Sequence, residues 1–265
     1  MEGPETGPPV LLLHGGGQTR HAWGGTRARL AAAGWRAISV DLRGHGDSDW
    51  APDGDYGPPV FAADVRALID WTGGRPALVG ASLGGQAALL AVGESDEATP
   101  IARALVLVDV TPRVNLDGAR RVIGFMRSRP DGFASLEEAA DAVAAYLPHR
   151  PRPDDTAGLA RNLRYDGARY RWHWDPVLVE QSEQRMMPAE RLLAAARRIR
   201  VPTLLIRGAL SDVVTEDTAG EFMRLLPDAE FVTVDRAAHM VAGDRNDVFT
   251  AAVLDFLSRR SSDVA

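Results

Sequence analysis

The chain has 265 residues, 45% of them hydrophobic and 25% charged, with a formal net charge of −6. That size and balance are ordinary for a soluble globular protein with one large α/β domain and space for an insertion, and the negative charge argues against nucleic acid or an anionic membrane as partner. All 30 basic residues are arginine and cysteine is absent, which excludes Schiff-base lysines, thiolate nucleophiles, disulfides and cysteine-bound zinc.

Met1 to Thr6 is acidic and proline-containing, with no long apolar run behind it. Neither a signal peptide nor a transmembrane helix is expected, and the cytoplasm is the expected location. Val10 to Leu13 is a short continuous apolar run, the pattern of a buried parallel strand. It stops at the loop His14-Gly15-Gly16-Gly17, and a helix follows from about Trp23 to Ala33, ended by Gly34. Arg36 to Val40 is the next strand, and Asp41 to Asp49 a polar, glycine-punctuated loop. Pro58 and Pro59 open a helix to Trp71, with Val60, Asp64, Leu68 and Trp71 on one face.

Ala77-Leu78-Val79 then runs into Gly80-Ala81-Ser82-Leu83-Gly84 and on into a helix-forming stretch. A G-x-S-x-G pentapeptide between a strand and a helix has the context of a nucleophile elbow, with its serine at the apex of a strained turn. Ala104 to Val108 is a fourth strand, ending at Asp109. From Thr111 to Arg200 the pattern is helices joined by prolines, with no strand. Ser135 to Glu138 forms a capping box, Leu136, Ala140, Val143 and Leu147 share an apolar face, and residues 150–155 make a proline-rich hinge. Alternation resumes at Thr203 to Ile206, followed by Ser211-Asp212, a helix over Glu216 to Leu226, a last strand over Phe231 to Val234, and a final helix presenting Phe249, Val253, Phe256 and Leu257. His239 lies between these last two elements.

Six short apolar strands alternating with helices imply an α/β fold, a mostly parallel sheet flanked by helices. Residues 1–110 and 201–265 form the core, and 111–200 a helical cap over the edge where open α/β sheets bind ligands.

A serine needs a base to become nucleophilic at neutral pH. His239, after the last strand, completes the order Ser…Asp…His. Asp212, after the fifth strand, is the first choice for the carboxylate that orients it, and Asp109 is the alternative. Backbone N–H groups of Leu83 and Gly16 are the candidate oxyanion donors, with Gly17 second to Gly16. His45 and the Asp41 to Ser48 loop read as architectural. Trp172, Trp174 and Met240 are candidate pocket residues, while Met186 and Met187 suit core packing. No metal or organic cofactor is called for.

H-G-x, D-x-R-G-x-G-x-S, G-x-S-x-G, a post-strand aspartate and a late histidine together resemble the α/β-hydrolase superfamily over nearly the whole chain, in its esterase and cofactor-free-peroxidase branch. Serine at position 82 departs from the aspartate of epoxide hydrolases and haloalkane dehalogenases, and the missing lysine from plant-type hydroxynitrile lyases. The resemblance implies hydrolysis of a small-molecule carboxylic ester through an acyl-enzyme. Two further readings share the triad: lactone or carbon–carbon hydrolysis, with Asn162, Arg169 or Arg171 as polar cap groups, and a ligand receptor without turnover. Family members usually carry an antiparallel strand pair before the first parallel strand, and the nine residues ahead of Val10 are too few for one. The strand edge so exposed invites a second subunit. A homodimer is therefore expected, and a clean monomer by light scattering counts against it.

Overall fold

Alternating burial along the strands divides the interior into two layers. The computed structural model describes residues 1–152, 154–180 and 188–261, so Met186 and Met187 lie outside the described residues. In chain order come β1 (Pro9–Leu13), a 3₁₀ turn (Arg20–Trp23), α1 (Gly24–Ala32), β2 (Arg36–Val40), α2 (Pro58–Trp71), β3 (Ala77–Ala81), α3 (Ser82–Gly93) and β4 (Ala104–Val108). Next are α4 (Leu116–Arg127), α5 (Leu136–Tyr146), α6 (Ala157–Ala160), β5 (Leu163–Tyr165), β6 (Tyr170–Trp172), α7 (Pro176–Glu180) and α8 (Ala189–Arg197). The chain closes with β7 (Thr203–Gly208), α9 (Glu216–Leu225), β8 (Glu230–Val234), α10 (Val241–Asp244) and α11 (Asn246–Ser261).

The main sheet has six strands in the order β2-β1-β3-β4-β7-β8, every pair parallel. Leu11, Leu13, Leu78, Leu105 and Leu107 point to one face, where Phe61 and Val65 of α2, the apolar α3, Leu192 and Ala196 of α8 and Phe222 of α9 cover them. Val10, Leu12, Val79, Val106 and Ile206 point to the other, against Leu30 of α1 and Phe249, Val253 and Phe256 of α11. Each fully buried leucine of this kind is worth about 2 kcal/mol of transfer free energy. Helix α3 is buried nearly all round, as a helix apolar on every side must be.

Several local expectations change. The buried face of α2 is Phe61, Ala62, Val65 and Ile69; Trp71, expected on the apolar face, is exposed. Ser135 accepts the Glu138 N–H at 3.1 Å, but the Glu138 carboxylate reaches back to Ala134, one residue earlier than a capping box requires. The stretch read as strand-free contains the antiparallel hairpin β5–β6. Its register brings Phe133, Leu163 and Trp172 into a small apolar cluster of their own. Helix α8, by contrast, packs into the main core.

At the free edge of β2 the chain's own Glu2 makes an antiparallel bridge to Ala37, donating at 3.0 Å and accepting at 2.9 Å. That bridge shortens the edge left for any partner strand. Among the described residues no helix is long and apolar enough to cross a membrane.

Helices α3 and α8 meet where Gly93 faces Ala195, and a Cβ on Gly93 would sit 2.2 Å from the Ala195 carbonyl oxygen. Gly93→Ala therefore lowers stability by about 1–3 kcal/mol through overpacking, despite the roughly 1 kcal/mol of helix propensity that alanine adds. Urea denaturation measures it, and a midpoint at or above wild type contradicts the close crossing.

Candidate active site

The turn between β3 and α3 places Ser82 at φ 43°, in the left-handed region that a residue with a Cβ occupies only under constraint. The flanking glycines show what constrains it. A Cβ on Gly80 would lie 2.6 Å from the Gly84 carbonyl oxygen, across the turn. A Cβ on Gly84 would instead strike the carbonyls of Leu13 and His14, at 2.5 and 2.7 Å, on the neighbouring strand end. The Gly84 N–H donates to His14 O at 3.2 Å, tying the elbow to that strand end.

Ala81 and Val108 are register partners on β3 and β4. The next residues, Ser82 and Asp109, therefore leave adjacent strands at the same level, and Asp109 is also left-handed, at φ 49°. Its side chain is 0% exposed. The carboxylate accepts from the Gly208 N–H at 3.1 Å, from the Ser211 hydroxyl at 2.5 Å and from His239 Nδ1 at 2.7 Å. With Nδ1 holding the proton, His239 Nε2 faces Ser82 Oγ as the acceptor, at 3.2 Å.

Asp109, not the favoured Asp212, thus holds His239. After β7 the chain turns back, Ser211 N–H bonding Gly208 O and Ser211 Oγ accepting from Val213 and Val214. That turn directs Ser211 to Asp109 and leaves Asp212 34% exposed, where it pairs with Arg121 of α4 at 2.8 Å. Both aspartates satisfy the order Ser…Asp…His, and the preference for Asp212 rests on its place in the turn after the fifth strand. The available signal was the position of Asp109 directly after its strand, as Ser82 directly follows β3.

In the His14–Gly17 loop, the Gly15 N–H donates to Gln18 Oε1 at 2.9 Å and the Gly17 N–H to His45 Nε2 at 3.1 Å. Among the described residues, the Gly16 and Leu83 N–H groups have no protein acceptor. A Cβ on Gly15 would lie 3.4 Å from Ser82 Cβ, whereas one on Gly16 would meet nothing within 4 Å. The loop therefore passes Ser82 at Gly15 and leaves open space at Gly16.

Of the pocket candidates, Trp174 lies against the first glycine loop. A Cβ on Gly17 would lie 3.2 Å from its ring and 3.1 Å from Met126 Cε of α4. Trp172 stacks behind Trp174 at 4.7 Å and meets Phe125 edge-on at 5.9 Å. Phe125 in turn stacks on Tyr146 at 4.1 Å. The backbone of Met240 precedes α10, and its carbonyl accepts from Gly243 and Asp244. Phe125 and Met126 escaped the sequence reading because α4 shows two solvent-facing arginines, Arg120 and Arg121, in the same stretch. The polar candidates Arg169 and Arg171 are engaged elsewhere, on the carbonyls of 130–132 and on Asp166. Asn162 accepts from Thr19 Oγ1 at 3.1 Å.

Three buried histidines brace the loops around the site. His14 accepts the Leu42 N–H at 2.9 Å and donates from Nδ1 to Gly15 O at 2.8 Å. His45 accepts from Gly17 and donates to Arg43 O at 3.0 Å. His173, just after β6, accepts the Gly46 N–H at 2.7 Å, and its Nε2 has no partner among the described residues. Burial is the main cause that pushes His14 and His173 down to about 3 and His45 to about 4, and mutual repulsion adds to it for His14 and His173. All three are neutral, each spending one nitrogen as an acceptor. Asp41 is the fourth brace: although burial opposes it, backbone N–H groups of Arg20 and Asp47 hold its carboxyl below the usual value. Arg43 pairs with Asp64 of α2 at 2.5 Å.

The alpha/beta hydrolase family model matches residues 10–252, and the chain belongs to that family. It is 29% identical over 262 residues to the esterase Rv0045c of Mycobacterium tuberculosis, covering 96% of this chain and 84% of that protein. It is 26% identical over 275 residues to the 2-hydroxy-6-oxo-6-(2'-aminophenyl)hexa-2,4-dienoic acid hydrolase of Metapseudomonas resinovorans, covering 96% and 86%. The crystal structure of E-2-(acetamidomethylene)succinate hydrolase superposes with a TM-score of 0.85 at 24% identity, covering 97% of this chain and 93% of that one.

The three histidines impose a pH dependence on stability. Their folded-state pKa values lie below the unfolded value of 6.5, so the unfolded chain takes up protons first. Stability is unaffected by them above about pH 7 and falls as pH drops below 6.5 toward the folded values, by about 2 kcal/mol per histidine at pH 5. Denaturation at pH 7.5 and 5.0 measures the slope. His45→Gln, which keeps an acceptor for Gly17, flattens it by roughly one histidine's share; an unchanged slope rejects the assignment.

Proposed function

We propose that the chain is a serine hydrolase cleaving carboxylic esters through an acyl-enzyme. The observation that carries this reading is the continuous relay Ser82–His239–Asp109, built from the ends of β3 and β4 and the loop after β8. Ser82 Oγ attacks the ester carbonyl carbon while His239 Nε2 takes its proton. Asp109 holds the Nδ1–H tautomer and balances the imidazolium. The new oxyanion is held by the N–H groups of Leu83 and Gly16, whose lack of internal acceptors suits that role. His239 returns the proton to the departing alkoxide, then deprotonates a water that attacks the acyl-serine; the Ser82 Oγ–acyl bond breaks as His239 passes that proton to Oγ, freeing the acid and restoring the serine.

Residues 111–200 act as a cap in this reading, with Trp174 and Met126 beside Gly17 suiting an apolar substituent. The esterase name of the mycobacterial relative agrees with it. Carbon–carbon hydrolysis assisted by Arg169, Arg171 or Asn162 is less well supported, because those side chains are committed to other partners. Steady multiple turnover on short acyl esters separates an esterase from a ligand receptor.

Ser82→Ala is expected to reduce p-nitrophenyl ester turnover by at least about 10⁴-fold. Asp109→Asn loses about 10²- to 10⁴-fold through the wrong imidazole tautomer, whereas Asp212→Asn stays within about threefold of wild type. A larger loss in Asp212→Asn than in Asp109→Asn returns the acid to position 212, and undiminished turnover in Ser82→Ala rejects the nucleophile.

A further inference from the structure

His239 sits in a stretch of irregular backbone, residues 235–240, between β8 and α10. A side chain that must meet Ser82 and Asp109 at once needs that backbone fixed, and the loop's own turn bonds do not reach His239. The core holds the segment through Leu210 N–H on Ala237 O at 2.8 Å and through Asp244, and Asp244 is in turn held from the insertion. After α5 the chain turns, Arg150 N–H bonding Leu147 O at 3.0 Å, and His149 and Arg150 extend to Asp244 at the end of α10. The Asp244 side chain is 1% exposed. Its Oδ2 accepts the N–H of Ala238, the residue before His239, at 2.7 Å. Its Oδ1 accepts from Arg150 Nε and pairs with His149 Nε2 at 3.0 Å. Arg150 Nη2 also donates to the carbonyl of Met240, the residue after His239, at 3.3 Å. The guanidinium lies against Gly243, where a Cβ would be 2.8 Å from Nη2. The residues on both sides of His239, Ala238 through its N–H and Met240 through its carbonyl, are thus held by one charged network.

We propose that Arg150, acting with Asp244, is a positioning residue for His239: the insertion sets the geometry of the base as well as covering the site. The proposal rests on the reading of His239 as general base. Arg150 touches none of the reacting atoms. A planar fork bound to a buried carboxylate fixes direction as well as distance, and displacing a reacting group by about 1 Å costs on the order of 10²-fold in rate. Loss of the clamp therefore acts on kcat, with little effect on KM for a small substrate that does not touch Arg150.

The test uses the full chain with p-nitrophenyl acetate, thermal melting, and the low-field proton NMR signal of the His239 Nδ1–H shared with Asp109. Arg150→Ala and Asp244→Asn are expected to lower kcat by about 10- to 100-fold with KM within about threefold, and to broaden or remove the low-field signal while melting stays above the assay temperature. Arg150→Lys, which keeps a charge against Asp244, is expected to recover most of the lost kcat. A folded Arg150→Ala protein with kcat within twofold of wild type overturns the proposal, as does a loss confined to KM or a lysine variant no better than alanine. If no Arg150 variant folds, the clamp is structural and the proposal also fails. A wild-type protein without ester turnover defeats the esterase reading instead, and the NMR comparison alone then decides whether Arg150 sets His239.

Discussion

A serine held in the left-handed region is the constraint on which the rest of this structure depends. The conformation at Ser82 costs about 1–3 kcal/mol, and nothing within the pentapeptide compensates for it. It persists because β3 and α3 are both locked in the core, with Gly80, Gly84 and Gly85 each against backbone or side-chain atoms that leave no space for a Cβ. Asp109 repeats the same departure one strand away. Two strained residues at matched register on adjacent strands are an unusual pairing, and a single imidazole reaching over both satisfies it. Sheet register, more than sequence proximity, determines which carboxylate meets the histidine.

Beyond the sheet edge, every loop near the serine is fixed by a side chain from another loop. His14 links the first loop to Leu42, His45 links the second back to Gly17, and His173 links the β5–β6 hairpin to Gly46. These are neutral contacts of buried histidines, where a charged imidazole would have to give up its acceptor nitrogen. Asp41 and Asp244 do comparable work through their carboxyl oxygens. Asp41 gathers Arg20 and the Asp47 N–H, and Asp244 gathers Arg150 and the Ala238 N–H. The polar interior is therefore made of separate braces, each joining two segments far apart in sequence.

The layers of the fold were legible because apolar runs of four or five residues recur between glycine and proline punctuation, and such runs have few alternatives to a buried parallel strand. The meeting of Ser82 with His239 was legible for a related reason, since each occupies a fixed place relative to a strand. The carboxylate that meets the histidine was not. Asp109 and Asp212 both follow strands, Asp109 directly and Asp212 after the turn that Ser211 makes, and that turn carries Asp212 away from the histidine. The faces of α2 were misjudged where Trp71 fits the helical period yet ends the helix in solvent. The β5–β6 hairpin escaped notice because three-residue strands rich in arginine and tyrosine show no hydrophobic period. The histidine braces could not be read from sequence, since each joins residues whose proximity only the folded chain creates.

The insertion between β4 and β7 follows from these contacts as something other than a detachable cover. It meets the core through Thr19–Asn162 and His173–Gly46 on the side of the His14–Gly17 loop, through Arg121–Asp212 beyond β7, and through Arg150–Asp244 on the side of His239. A lid that opened as a rigid body would have to break all four sets together, leaving Asp244 Oδ1 without Arg150 and the Gly46 N–H without His173. Buried groups stripped of partners cost far more than exposed ones. Access to Ser82 is therefore expected through rearrangement of individual segments. The aromatic column Tyr146–Phe125–Trp172–Trp174 is the natural candidate, because apolar contacts slide without leaving a charge or a donor unsatisfied. Under the proposed esterase reading, selectivity for the acyl or alcohol group and retention of the Ser82–His239–Asp109 geometry then reside in different contacts of one insertion. Aromatic residues can vary to suit a substrate while the ionic and histidine braces stay fixed.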